Sequence, residues 1–179
     1  MLKTLKKILR VGIITEPVDT TESHQIESLG KACQKVIAAK FNGSLAIRQV
    51  DAGSCNGCEL EIQALNNSFY NLERFGIHFV ASPRHADVLL VTGPVSRHME
   101  EALRIVYEST PDPKLVIAAG DCAACGGIFG KSYASAGAVS NVISVDLVIP
   151  GCPPAPMQLL TALLTIFDAP KHSKKGSVK

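Results

Sequence analysis

Residues 115–127 read LVIAAGDCAACGG, and this stretch decides the fold. Leu115–Ala119 is a run of five apolar residues that opens into a loop of glycine, aspartate and cysteine. A short apolar run without polar alternation fits a strand buried on both faces of a parallel sheet. The glycines that follow free the backbone for a sharp turn and for close approach. The same run-then-loop pattern recurs along the chain. Leu45–Val50 leads into DAGSCNGC (51–58), Val88–Thr92 into GPVS (93–96), and Leu147–Ile149 into PGCPP (150–154); Ile77–Ala81 is a further strand. Helical patterns lie between them, near Glu59 to Phe69, Ser96 to Ser109, Ser132 to Val139 and Pro154 to Phe167. Pro154 suits the first turn of a helix, where its missing N–H has no partner to lose. Strand–helix alternation of this kind predicts an α/β fold: a doubly wound, mostly parallel sheet with helices on both faces and right-handed crossovers, in a single domain.

Composition shifts divide the chain further. Residues 1–43 form an N-terminal helical extension, residues 44–169 the core domain, and residues 170–179 (PKHSKKGSVK) a basic tail predicted to be disordered. In the extension, Leu29, Cys33, Val36 and Ile37 recur at helical spacing between Glu22 and Lys40, with Thr21 or Ser23 suited to cap the start. Ahead of them, MLKTLKKILR sets Leu2, Leu5, Ile8 and Leu9 against Lys3, Lys6, Lys7 and Arg10. A basic amphipathic helix of this kind fits an anionic membrane surface or a partner subunit; partner docking with a membrane nearby is the preferred expectation. No apolar run or small-residue cleavage site of a signal peptide follows this start. The longest apolar stretch, Ala155 to Phe167, is broken by Gln158 and is too short to cross about 30 Å of hydrocarbon.

Charge and aromatic content exclude one class of partner. A net charge of only +2 gives no global field for nucleic acid, and 5% aromatic residues with no tryptophan leave no base-stacking surface. The six cysteines point elsewhere. In a reducing compartment a chain that can build its own core uses cysteine for metal or redox work rather than as staples. Cys55, Cys58, Cys122 and Cys152 each follow the C-terminal end of a predicted strand, the rim where open α/β sheets bind ligands. Four thiolates far apart in sequence can therefore converge on one place. Soft sulfur donors suit an iron–sulfur cluster and tetrahedral zinc alike, and spacing alone does not separate the two. Zinc sites usually come as two short knuckles, whereas here two of the ligands stand alone. A thioredoxin-like dithiol at Cys55/Cys58 leaves Cys122 and Cys152 without a role.

At these residues a resemblance enters. VDAGSCNGCELEI (50–62), RFGIHFVASPRHADVLLVTGPVSR (74–97), AAGDCAACGGIFG (118–130) and VIPGCPPAP (148–156) resemble, in the right order, the small cluster-bearing subunit of membrane-associated group 4 [NiFe] hydrogenases of the formate hydrogenlyase type. That family is similar in turn to the 20-kDa cluster subunit of respiratory complex I. The complex I branch carries two adjacent cysteines at the first motif; here Asn56 and Gly57 split the pair, as in the hydrogenases. The resemblance covers roughly residues 46 to 167. It implies a flavodoxin-like domain holding one [4Fe–4S] cluster on Cys55, Cys58, Cys122 and Cys152, and no catalytic residue of its own. It implies an electron relay between the Ni–Fe centre of a large subunit and a ferredoxin-like iron–sulfur subunit. It also implies membrane subunits in the same complex and a peripheral place on the cytoplasmic side of the cell membrane. The rival readings are a complex I-like quinone reductase subunit and, from another class, a zinc-stabilised α/β binding module. Two departures stand out: a long C-terminal extension of some relatives is missing, and Cys125 occupies a place where relatives tend to have a small residue. Cys125 is expected to be a fifth, non-ligating thiol, and Cys33 core filler.

Three further residues are candidates beside the cluster. Glu59 opens the helix after the first motif, where the helix dipole favours a carboxylate; the sharper reading has it influence proton or electron flow at the subunit boundary. Arg84 and His85, just before the strand Val88–Thr92, either raise the cluster potential by their charge or sit in a solvated loop. Asp121 reads as a backbone cap.

Overall fold

The structure, a computed structural model, describes residues 2–12 and 21–168; the tail expected over 170–179 lies outside them. Five strands form one parallel sheet: β1 (Leu45–Asp51), β2 (Ile77–Phe79), β3 (Val88–Thr92), β5 (Leu115–Ala119) and β7 (Leu147–Ile149), in the order β2-β1-β3-β5-β7. The α/β expectation holds. Three strands coincide with their expected bounds, and β2 stops two residues short of Ala81.

The unbroken apolar runs follow from side-chain alternation between two covered faces. On one face Leu45, Ile47, Val88, Leu90, Ile117, Ala119 and Ile149 pack with Cys33 and Ile37 of α2 (Thr21–Lys40), Ile62 of α3 (Gly57–Ala64) and Leu159, Leu160 and Leu163 of α6 (Pro156–Asp168). On the other, Val50, Leu89, Val91, Val116 and Ala118 pack with Leu103 of α4 (Arg97–Ser109) and Ala123 of α5 (Asp121–Cys125). A fully buried aliphatic such as Ile117 contributes about 1.5–3 kcal/mol. Cys33 is wholly buried, as a small core residue.

Helix starts and stops have local causes. Ser96 accepts from Met99 N (3.3 Å) and caps α4, whose Glu100 takes Arg97 and Arg104 at 3.1 Å each. Helix α3 ends at Ala64, short of the expected Phe69, because Asn67 Oδ1 accepts from Phe69 N and Tyr70 N and closes an Asx turn. The helix expected over Ser132 to Val139 is replaced by a turn and a strand. Ser132 Oγ accepts from Ala134 N and Ser135 N, a side-chain alternative to helical bonding. Then β6 (Ser135–Gly137) pairs antiparallel with β4 (Val95–Ser96).

Asp87 and Asp146, each just before a strand, reach sideways to the neighbouring one. Asp87 Oδ2 accepts from Ala46 N (2.9 Å) and Asp146 Oδ2 from Val116 N (2.8 Å), satisfying donors at the strand entries.

Helix α2 contains one glycine with a packing reason. A methyl on Gly30 meets the Phe75 ring at 2.2 Å, from the 3-10 turn Leu72–Phe75. Glu27 of α2 also pairs with Arg74 of that turn at 3.2 Å. Gly→Ala in a helix interior ordinarily stabilises by about 1 kcal/mol. At this position the sign reverses: Gly30→Ala is expected to destabilise by about 1–3 kcal/mol through overpacking, read from the urea unfolding midpoint.

Candidate metal centre

Strand order reverses at β1: the chain leaves it for β2 on one side and returns to β3 on the other. Ligands bind in open α/β sheets outside the strand C-termini at such a switch point. The cysteine loops leave β1, β5 and β7 at that rim, and Gly93 leaves β3 between them.

The first loop is folded by its own side chains. Asp51 Oδ1 accepts from Gly53 N and Ser54 N, both at 2.8 Å, and Ser54 Oγ accepts from Asn56 N at 3.1 Å. Asn56 adopts φ 71° and launches α3 at Gly57, two residues before the expected start at Glu59, so Cys58 lies in the first helical turn. Cys55 stays exposed while Cys58 is buried.

The glycines show how closely the loops converge. A Cβ on Gly120 meets Cys58 Sγ at 2.7 Å, and a Cβ on Gly127 meets Cys122 Sγ at 2.7 Å. A Cβ on Gly57 lies 3.6 Å from Cys55 Sγ and 3.9 Å from Pro153. The loop that carries Cys58 is thus seated on the loop that carries Cys122 and beside the one that carries Cys152. At Gly120 and Gly127 only a residue without a side chain allows that approach, whereas a Cβ at Gly57 would make ordinary contact.

Asp121 ties two of these loops together. Its Oδ1 accepts from Gly151 N and its own N–H donates to Gly151 O, each at 2.8 Å. The cap expected of this residue acts across 30 positions of sequence, between the Cys122 loop and the Cys152 loop. Asp121→Ala leaves the Gly151 N–H without its acceptor and is expected to cost about 1–3 kcal/mol. Asp121→Asn keeps an acceptor oxygen and should recover most of it, in thermal unfolding and in iron retention.

Glu59 is 6% exposed, far more buried than a capping carboxylate requires. The Thr92 hydroxyl donates to its Oε1 and lies near Val50 O (3.3 Å), which links α3 to the ends of β1 and β3; Oε2 is buried without a hydrogen-bond partner among the described residues. Arg84 and His85 occupy an exposed 3-10 turn, Pro83–His85, capped by Ser82 Oγ. That turn precedes β3, at the end of the strand opposite the cysteine rim. Cys125 Sγ donates to Asp121 O (3.2 Å), back along its own short helix. The sequence holds signals for Asp121 and Thr92 only as loop neighbours of cysteine and glycine; their long-range partners come from the fold.

Burial, then Glu59, then the thiols of Cys55, Cys122 and Cys152 push the Cys58 thiol up to about 11. Burial first, then Cys152 and Cys55, raise Cys122 as well. All four thiols therefore lie within electrostatic reach of one another. A raised folded-state value favours the folded protein below the unfolded thiol's value and loses that advantage above it. The iron-free chain is expected to lose about 1–2 kcal/mol as pH rises from about 8.5 toward 11. Urea midpoints at about pH 8 and about pH 10 measure this, and Cys58→Ala should flatten the difference. Metal ligation needs thiolates, so loading releases protons and proceeds further as pH rises.

The donor set suits an iron–sulfur group: four soft thiols in a glycine cradle. Among the described residues no group of three or more His, Cys, Asp or Glu is arranged to hold one metal ion. A four-iron cube asks for a wider ring, since each iron takes a single cysteine.

Comparisons with known proteins show the family. The family described as NADH ubiquinone oxidoreductase, 20 Kd subunit, matches residues 55–166. A probable membrane-bound hydrogenase subunit mbhJ of Pyrococcus furiosus is 44% identical over 151 residues, covering 83% of this chain and 90% of the relative. Formate hydrogenlyase subunit 7 of Escherichia coli is 43% identical over 144 residues, 80% of this chain but only 55% of the relative. Among solved structures, a chain of the membrane-bound sulfane sulfur reductase, an archaeal respiratory membrane complex, superposes with a TM-score of 0.61 at 37% identity, covering 69% of this chain and 68% of that one.

Proposed function

Because this chain belongs to the NADH ubiquinone oxidoreductase 20 Kd subunit family, whose members are subunits of oxidoreductase complexes, we propose that it is the electron-transfer subunit of a membrane-associated [NiFe] hydrogenase. The observation that carries the reading is the meeting of Cys55, Cys58, Cys122 and Cys152 at one sheet rim, in loops packed so closely that Gly120 has no room for a Cβ beside Cys58.

Those four residues, as thiolates, would hold one [4Fe–4S] cluster, which when bound supplies one-electron transfer. The rest of the work is the chain's own. Gly120 and Gly127 let backbone approach the sulfurs. Asp51 and Asp121 fix the loops so that the thiolates keep their places through a change of charge. Glu59, buried against Thr92, holds α3 to the sheet and places a carboxyl beside Cys58. Arg84 and His85, at the far end of β3, would act on the potential only through the long-range field. No nucleophile or general base is required of this chain. The exposed faces of Cys55 and Cys152 are where a large Ni–Fe subunit would cover the site, with a ferredoxin-like subunit and membrane subunits completing the relay. Among the described residues no helix is long and apolar enough to cross a membrane. The attachment proposed with these partners is peripheral, on the cytoplasmic side.

The split pair Cys55–Cys58 favours this reading over a complex I-like quinone reductase subunit. Anaerobic purification of the full chain with its native partners tests it. Visible charge-transfer absorption, about four irons per chain, a reduced-state EPR signal and nickel in a co-purifying subunit are expected. About one zinc per chain without visible absorption would establish the binding module instead. A cluster with nickel-free, quinone-reducing partners would establish the complex I-like alternative.

A further inference from the structure

Helix α1 (Leu2–Val11) has no buried residue. Leu2, Leu5, Ile8 and Leu9 are 76%, 56%, 63% and 79% exposed, and Val11 is exposed as well. With 3.6 residues per turn, these five aliphatic side chains fill one half of the helix circumference. Lys3, Lys6, Lys7 and Arg10 fill the opposite side, and Thr4 falls within the aliphatic half, between Val11 and Ile8. No acidic residue occurs in the helix, and none of the four cations has an ion-pair partner among the described residues. Gly12, at φ +65° with its N–H on Ile8 O (3.0 Å), ends the helix cleanly.

The other long helices solve the same problem differently. Helix α4 buries Leu103 of its apolar side in the core and neutralises Arg97 and Arg104 with Glu100. Helix α1 does neither. A ten-residue helix is marginal in water by itself, so its apolar half needs a cover. The cover must be apolar in depth and negative at its surface. At about 15 Å the helix is too short to span a bilayer, but its two faces match the boundary between acyl chains and anionic headgroups.

We propose that α1 is an in-plane anchor for an anionic lipid surface, its aliphatic half at the acyl boundary and its four cations among the headgroups. This deepens the membrane placement proposed above and rests on it for its biological setting. The test is flotation of the purified full chain with vesicles of phosphatidylcholine alone, or of phosphatidylcholine with about one third phosphatidylglycerol. Each cation brought to an anionic surface strengthens binding roughly fivefold, so at least about tenfold preference for the anionic vesicles is expected, falling as salt is raised. The pair Lys6→Glu with Arg10→Glu, and separately Ile8→Asp, should each return binding to the neutral-vesicle level. All three positions are exposed, so circular dichroism and unfolding midpoints should not change.

Absence of a preference in the natural sequence overturns the proposal, and so does undiminished binding by the variants. Variants that detach the chain from co-purifying subunits, where the natural chain shows no lipid preference, would make α1 a protein-docking helix instead. Iron content and EPR of the same preparations report on the cluster separately, so a failure of the hydrogenase reading is distinguishable from a failure of the anchor.

Discussion

Cys152→Ser is expected to reduce the iron of the purified chain to a small fraction of the four-iron complement, with loss of visible absorption and of the reduced-state EPR signal. A serine oxygen is a harder, less acidic donor than a thiolate and does not replace it at iron. Cys152 also sits in the loop that Asp121 clasps through Gly151, so losing the proposed metal contact would remove a tie that adds to the hydrogen bonds between the β5 and β7 ends. The folded population should fall as well, because binding free energy to the native state is folding free energy. The comparison that gives the result its meaning is Cys33→Ser. Cys33 is wholly buried on α2, 4.0 Å from Leu160 O, in the apolar layer it shares with Ile37 and Leu160. It should keep full iron and the same EPR signal while losing about 1–2 kcal/mol of stability for a polar atom in an apolar site. Full iron in both variants would refute the ligand set.

Gly93→Ala is expected to be the most damaging change that touches no cysteine. Gly93 leaves β3 at φ +75°, in the left-handed region that a side chain disfavours. Its added methyl would lie 2.5 Å from both Ser54 Cα and Ser54 N. Backbone cannot rotate aside as a side chain can. The loop that Asp51 holds must shift, and it carries Cys55 directly after Ser54. Strain and displacement together should cost about 3–5 kcal/mol, a large share of the stability of a domain this size. Low soluble yield and depleted iron are expected, with Gly43→Ala as the comparison: its φ is +90°, yet nothing lies within 4 Å of the added methyl. A Gly93→Ala protein as stable as that control would show that the first loop has slack the structure does not contain.

The sheet was legible because its central strands are buried on both faces, which leaves only apolar residues at 115–119 and all but Thr92 apolar at 88–92. Elements whose identity rests on partners were not legible. Ser132 to Val139 carries a helix-compatible pattern of small residues, but Ser135–Gly137 becomes a strand because Val95–Ser96 is there to pair with it. The five-residue helix Asp121–Cys125 is hidden among glycines that punctuate rather than signal. At the candidate site, the identity of the four cysteines came from their places after strands. The bond from Asp121 to Gly151, and that of Thr92 to Glu59, join positions about thirty residues apart and leave no local trace.

By itself the sequence determined the α/β class, the run of each central strand, and which sulfurs stand at strand ends, since burial and chain reversal are written in residue type and order. Only the tertiary structure decided the strand order, the seating of one cysteine loop upon another at Gly120, and the Asp121 carboxylate that ties two of the loops. Those depend on distances between residues far apart in the chain, and excluded volume and hydrogen-bond geometry act on such distances only once the fold has brought the residues together.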